Sequence, residues 1–127
     1  MLRSDWKFHR GEVYRADLGE PNGSVQAGVR PVVIIQNNTG NRYSPTVMVA
    51  PATSNIEKKP NMPTHHIIKS CSAFKKPSII LLEQVQTVNK TQLEYYYGTV
   101  PKLDMLKIDV KLLISFGLSR FLKGEKP

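Results

Sequence analysis

Cysteine is almost absent from this chain: Cys71 is the single one among 127 residues. One thiol excludes an internal disulfide and any cysteine-based metal cluster. It reads as a small hydrophobe rather than a nucleophile, and its scarcity fits a reducing interior. Acids are also few, 10 against 18 Lys and Arg, and they are dispersed. Neither His-Glu-x-x-His nor Asp-x-Asp occurs, so the clustered carboxylates or histidines of a catalytic metal site are missing. No Gly-Lys-Ser/Thr follows the glycines at 23 and 28, which excludes a phosphate-binding P-loop. No apolar run approaches bilayer length, and Met1–Lys7 lacks the apolar centre of a secretory signal. The expectation is a cytoplasmic protein with no membrane segment. Without repeats, low-complexity tracts or a linker, residues 1–127 are expected to form one domain. Residues 1–9 read as an N-terminal extension and 119–127 as a frayed tail.

Basic charge and short apolar runs are what the chain does have. The formal net charge is +8, which points to an anionic partner or, more simply, to solubility. The cations are scattered, so no basic tail is indicated. Gly11–Leu18 alternates as a half-buried strand, with Tyr14, Ala16 and Leu18 opposite Val13, Arg15 and Asp17. Val32–Ile35 and Val47–Ala50 are short β-branched runs that read as buried strands. Thr64–Ile68, Ser78–Glu83 and Tyr95–Thr99 add further strands. Asn37–Arg42 reads as a turn, Thr53–Pro63 as a polar loop carrying Lys58 and Lys59, and Asn89–Leu93 as a short helical turn. After Gly98 the period changes. Leu103, Leu106, Val110, Leu113 and Ile114 recur at helical spacing, with Thr99 as cap, Pro101 in the first turn and Gly117 as stop. That stripe is expected to lie on the sheet, leaving Lys102, Asp104, Lys107 and Lys111 solvated. The pattern is α+β: a small antiparallel barrel followed by an amphipathic helix.

The chemistry narrows by elimination. His65 and His66 are adjacent in a strand, so their side chains point to opposite faces and cannot be an acid–base pair. Each reads as a surface or edge histidine. Tyr95, Tyr96 and Tyr97 suggest a base-stacking platform, but strand alternation divides them between core and solvent. What remains is Arg30, at the entrance of one apolar strand, with Thr53 and Ser54 at the exit of the next. A guanidinium fork and hydroxyls beside a mobile polar loop suit a phosphodiester and the charge that builds on a pentacoordinate phosphorus. A strand-edge salt bridge for Arg30 and a turn hydroxyl for Thr53 are the plainer alternatives.

Four ordered motifs carry a family resemblance. Gly11-Glu12-Val13-Tyr14, the run from Gly23-Ser24-Val25-Gln26-Ala27-Gly28-Val29-Arg30 through Ile34, Pro51-Ala52-Thr53-Ser54, and Leu82-Glu83-Gln84-Val85 resemble the MazF/PemK (Kid) toxins of type II toxin–antitoxin pairs. The likeness runs from about Arg10 to Leu118. It implies an SH3-like barrel with a C-terminal helix, of the type shared with CcdB, and a homodimer with a single-stranded RNA groove at its interface. It also implies ribosome-independent, sequence-specific mRNA cleavage with neither metal nor cofactor. The 2′-hydroxyl would attack, leaving a 2′,3′-cyclic phosphate and a 5′-hydroxyl. Arg30 and Thr53 fall on the family's catalytic pair. Ser24, Gln26, Met62, Pro63, His65, Gln84 and Gln86 fall on RNA-contacting positions, with Ser54 beside them. A cognate antitoxin with an acidic disordered tail is the implied partner, the pair together binding DNA. Many relatives have Gly-Ser-Glu-Gln in the loop where this chain has Val25, which accepts no proton. The general base is therefore open, with Glu83 a substitute. A non-catalytic RNA-binding regulator and, less favoured, a CcdB-type gyrase poison are the rival readings. The chain's final residues, Leu122-Lys123-Gly124-Glu125-Lys126-Pro127, lack the aromatic-glycine-aliphatic end of the gyrase poisons.

Overall fold

A computed structural model describes residues 2–56 and 61–124. Lys58 and Lys59 of the second polar loop lie outside them, as do the last three residues. Seven strands are present: β1 (Glu12–Asp17), β2 (Val29–Ile34), β3 (Thr46–Thr53), β4 (His65–Ile68), β5 (Ser78–Leu81), β6 (Gln86–Asn89) and β7 (Leu93–Thr99). Helix α1 (Asn38–Tyr43) joins β2 to β3, and α2 (Lys102–Ser115) follows β7. All pairings are antiparallel, in the order β4-β5-β3-β2-β1-β7, with β6 also on β3. The expected α+β architecture is present in barrel-like form, its hydrogen-bonded path open between β4 and β7.

Strand alternation sends neighbouring residues into two cores, which explains why the apolar runs are continuous. Val13, Val33, Ala50, Ala52, Ile80 and Leu82 pack beneath Ile108 of α2. Tyr14, Ala16, Val32, Ile34, Val47 and Val49 face the other way. Leu2, Trp6 and Phe8 of the N-terminal extension pack against this second core.

Several sequence expectations are corrected. Asn37–Arg42 is not a plain turn: Asn37 caps α1, its Oδ1 accepting from the Gly40 amide at 2.8 Å. The α2 stripe is rotated. Met105, Ile108 and Leu112 face the core, while Leu103 and Leu106 are 73% and 55% exposed. Two apolar stripes interleave on this helix, and polar anchors choose between them. His66 Nε2 lies 2.9 Å from Asp104 Oδ1, and Ser115 Oγ donates to the Leu82 carbonyl at 2.8 Å. Asp104 therefore faces β4 instead of solvent. Thr99 does not cap α2; its hydroxyl pairs with that of Tyr96 at 2.7 Å, and Pro101 occupies the cap position. Gly117 does stop the helix, with a φ of +73° that a side chain would strain. Ser119–Lys123, within the segment read as a frayed tail, form a 3₁₀ turn. Tyr95, Tyr96 and Tyr97 are all exposed, because two register shifts against β1 break the alternation.

Replacing Ile108 with Ala is expected to cost about 2–5 kcal/mol, measured by urea unfolding, because the side chain is fully buried. A second expectation concerns Tyr14, which is buried, accepts from Trp6 Nε1 at 2.8 Å and donates to Glu12 Oε1 at 2.7 Å. Burial, reinforced by Glu12, raises its pKa above the ordinary 10.0. Below that value both folded and unfolded chains hold the proton. Above it only the unfolded chain releases it, so stability falls as pH rises. Wild type is expected to lose stability more steeply above pH 10 or so than Tyr14→Phe, in denaturant titrations across that range.

Candidate active site

The polar loop between β1 and β2 is tied at both base and tip. At its base the Gly28 amide donates to the Gly19 carbonyl and the Leu18 amide to the Gly28 carbonyl, each at 2.8 Å. Gly28 has a φ of +73°, which this closure requires and a side chain would resist. At its tip Asn22 bridges to Val25. Gln84, in the 3₁₀ turn Leu82–Gln84, clasps the loop from the side. Its Oε1 accepts from the Gln26 amide at 2.7 Å, and its Nε2 donates to the Ser24 carbonyl at 3.2 Å. The loop expected to be mobile is thus pinned. Ser24 and Val25 remain exposed, and Gln26 is buried.

Arg30 follows this loop in β2. Its Nε donates to the Ala27 carbonyl at 2.7 Å, which turns the guanidinium back along the loop. Among the described residues no carboxylate pairs with Arg30, so the salt-bridge alternative has no partner. The β2–β3 register pairs Val32 with Pro51 and Val33 with Ala50. The pairing ends at Val32–Pro51; counted on by two residues, the same register brings Arg30 level with Thr53, and alternation gives both the same face. Thr53 is buried, pairs with Ile79 of β5, and its Oγ1 accepts from the Asn55 amide at 3.1 Å. It is therefore a turn hydroxyl as well as the residue opposite Arg30. Ser54, next in the chain, is exposed.

The second group gathers around Glu83, the residue before the clasp. Glu83 accepts from the Thr64 hydroxyl at 3.2 Å, and its Oε2 lies 2.9 Å from His65 Nε2. His65 begins β4, and its amide donates to the Met62 carbonyl at 3.0 Å, which places exposed Met62 and Pro63 in the turn entering the strand. His65 and His66 do point apart, toward Glu83 and Asp104; they stand on β4, an edge strand of the sheet, but both are buried, not at the surface. Gln86 stands apart from the Arg30–Thr53 pair: it lies opposite Val49, four residues before Thr53 on β3, about 13 Å along the strand. Gln26 Oε1, His65 Nδ1 and Gln86 Nε2 are buried polar atoms with no hydrogen-bond partner among the described residues. Such atoms are rare in native folds and mark places where a ligand or water completes the bonding. No group of three or more His, Cys, Asp or Glu that could hold a metal ion is assembled among the described residues. Thr64 and the Ala27 carbonyl escaped the sequence reading, since nothing in their residue type marks them.

Comparisons with known proteins agree on one family. Residues 9–116 match the family described as PemK-like, MazF-like toxins of type II toxin–antitoxin systems. The chain is 50% identical over 115 residues to Endoribonuclease MazF of Staphylococcus epidermidis, an alignment covering 90% of this chain and 95% of that one. An endoribonuclease from a Mycobacterial species, solved in complex with its cognate antitoxin, superposes with a TM-score of 0.73 at 28% identity, covering 87% of this chain and 95% of that one. MazF from Deinococcus radiodurans superposes with a TM-score of 0.75, covering 89% and 99%; at 15% identity it speaks for the fold. With the profile spanning most of the chain and a relative at half identity, this protein belongs to the PemK-like, MazF-like toxin family.

Proposed function

We propose that the chain is the toxin of a type II toxin–antitoxin pair, a cytoplasmic, metal-independent endoribonuclease that cuts single-stranded mRNA at specific sequences. What supports this reading is the β2–β3 register: continued past Val32–Pro51, it brings Arg30, which has no acidic partner among the described residues, level with Thr53 beside a pinned loop. In the reaction the 2′-oxygen bonds to the adjacent phosphorus while its proton passes to a base, and the bond from phosphorus to the 5′-oxygen breaks. The products are a 2′,3′-cyclic phosphate and a 5′-hydroxyl once the leaving oxygen takes up a proton. Arg30 stabilises the added negative charge, with Thr53 as a further donor, and Arg30 also protonates the leaving group. A guanidinium is a poor base at neutral pH, so its part in this scheme is electrostatic first. Ser24, Gln26, Ser54, Met62, Pro63, His65, Gln84 and Gln86 bind the RNA. The unpartnered atoms of Gln26, His65 and Gln86 supply hydrogen-bonding capacity for it.

Purified protein is expected to make discrete cuts in unstructured RNA in the presence of EDTA, with cyclic phosphate ends. Arg30→Ala lowers the rate by about 10²–10³-fold, the range for losing one transition-state donor. Equal cutting by Arg30→Ala, or tight RNA binding with no cleavage, contradicts the reading.

The active form is a homodimer that a cognate antitoxin covers with an acidic segment. The net charge of +8 favours such a segment. Exposed Leu103, Leu106 and Val110 on α2 supply apolar surface for self-association. Leu106→Lys is expected to shift sedimentation toward monomer while the far-ultraviolet circular dichroism stays folded; an unchanged dimer places the interface elsewhere.

A further inference from the structure

A cleft of about 760 Å³ lies between the N-terminal extension, α1 and Lys90. Its size is that of a small-molecule site. Lys7, Arg42 and Lys90 line it together with His9, and no acid among the described residues does. The nearby acids are engaged: Glu12 with His9 and with the Tyr14 hydroxyl, Asp5 with Arg3. Aromatic surface is interleaved with the cations. The Arg42 guanidinium lies 5.3 Å from the centroid of the Tyr43 ring, and Lys90 Nζ lies 5.7 Å from that of Phe8. Tyr43 is 73% exposed, which leaves ring surface open to a ligand. Lys90 is held in place by donating to the Asn41 carbonyl. Lys7 and Arg42 are exposed, with no acidic partner among the described residues.

We propose that this cleft binds a nucleotide, its phosphate held by Arg42 and the lysines and its base stacked on Tyr43. Cations with an open aromatic face are the combination that single-stranded nucleic acid uses, and stacking tolerates any base. The cleft is separate from the Arg30–Thr53 pair. Arg30 lies near the start of β2, while α1 follows that strand's far end at Ile34, about 13 Å away along the strand. The nucleotide bound here is therefore not the reacting one, and binding does not depend on the cleavage chemistry. The same chemistry could be presented by a free nucleotide or by a stretch of the bound strand.

Trp6 reports on the site directly, because it lines the cleft and is the chain's single tryptophan. Adenosine monophosphate and a short single-stranded DNA, which lacks the 2′-hydroxyl needed for cleavage, are each titrated while Trp6 fluorescence is followed. Both are expected to change the emission saturably, in wild type and in Arg30→Ala alike. Arg42→Ala and Tyr43→Ala should each weaken binding by about tenfold, while Tyr43→Phe preserves it. Both side chains are exposed, so these variants stay folded. Tighter binding of the DNA assigns the site to a strand, and equal affinity assigns it to a free nucleotide. No response at millimolar nucleotide overturns the proposal. So does a response that survives Arg42→Ala and Tyr43→Ala but is lost in Arg30→Ala, or one that poly-glutamate produces more strongly than either probe. Because Arg30→Ala keeps the signal if the proposal holds, failure here is distinct from failure of the endoribonuclease reading.

Discussion

The pairing of β3 with its neighbours is the constraint on which the rest of the structure depends. This eight-residue strand meets β2 along one edge, and β6 and then β5 along its length. Its alternation supplies Ala50 and Ala52 to the core under α2, and Val47 and Val49 to the core under the N-terminal extension. Both cores therefore fix one register, since a slip of one residue would exchange their side chains. Continued past its last pair, Val32–Pro51, that register brings Thr53 level with Arg30. The geometry of the candidate site is thus a by-product of burying hydrophobic side chains elsewhere, which keeps it rigid without cost at the site itself.

Around this pair a cation has no acidic partner among the described residues, and the polar groups hold loops. Gln84 fixes the first loop through two backbone contacts, and the neighbouring Glu83 engages Thr64 and His65 at the start of β4. One short 3₁₀ turn thus ties two chain segments to a common edge. Val25 is exposed at the tip and takes no part in the clasp. An apolar side chain there shapes what the loop offers a ligand and leaves the loop's own construction intact.

The sequence carried six of the seven strands, because β-branched runs bounded by Gly, Pro and Asn have few alternatives; it missed β6, whose Gln86-Thr87-Val88-Asn89 has one apolar residue, and ran Ser78–Glu83 into the 3₁₀ turn at Leu82. It carried Arg30 and Thr53 only as residues near strand ends; their opposition needs the register, which no local pattern encodes. The orientation of α2 was misread because Leu103, Leu106 and Val110 form as good a stripe as Met105, Ile108 and Leu112. The His66–Asp104 and Ser115–Leu82 contacts that decide between them are non-local. The three tyrosines of β7 misled for a related reason: bulges against β1 abolish the period that alternation assumes. The edge position of both histidines was legible in their strand, but their burial was not, because a histidine carries no sign of its partner, and Glu83 and Asp104 lie 18 and 38 residues away. The aromatic–basic cleft went unread altogether, since Trp6, Arg42 and Lys90 come from three distant segments.

The most direct test of the central claim is a structure of the protein with a single-stranded RNA whose scissile residue is 2′-deoxy, so that attack is blocked. The account predicts one phosphate within hydrogen-bonding distance of both the Arg30 guanidinium and the Thr53 hydroxyl, with the adjacent base against the Ser24–Gln26 loop. A strand bound with its scissile phosphate away from that pair would contradict it.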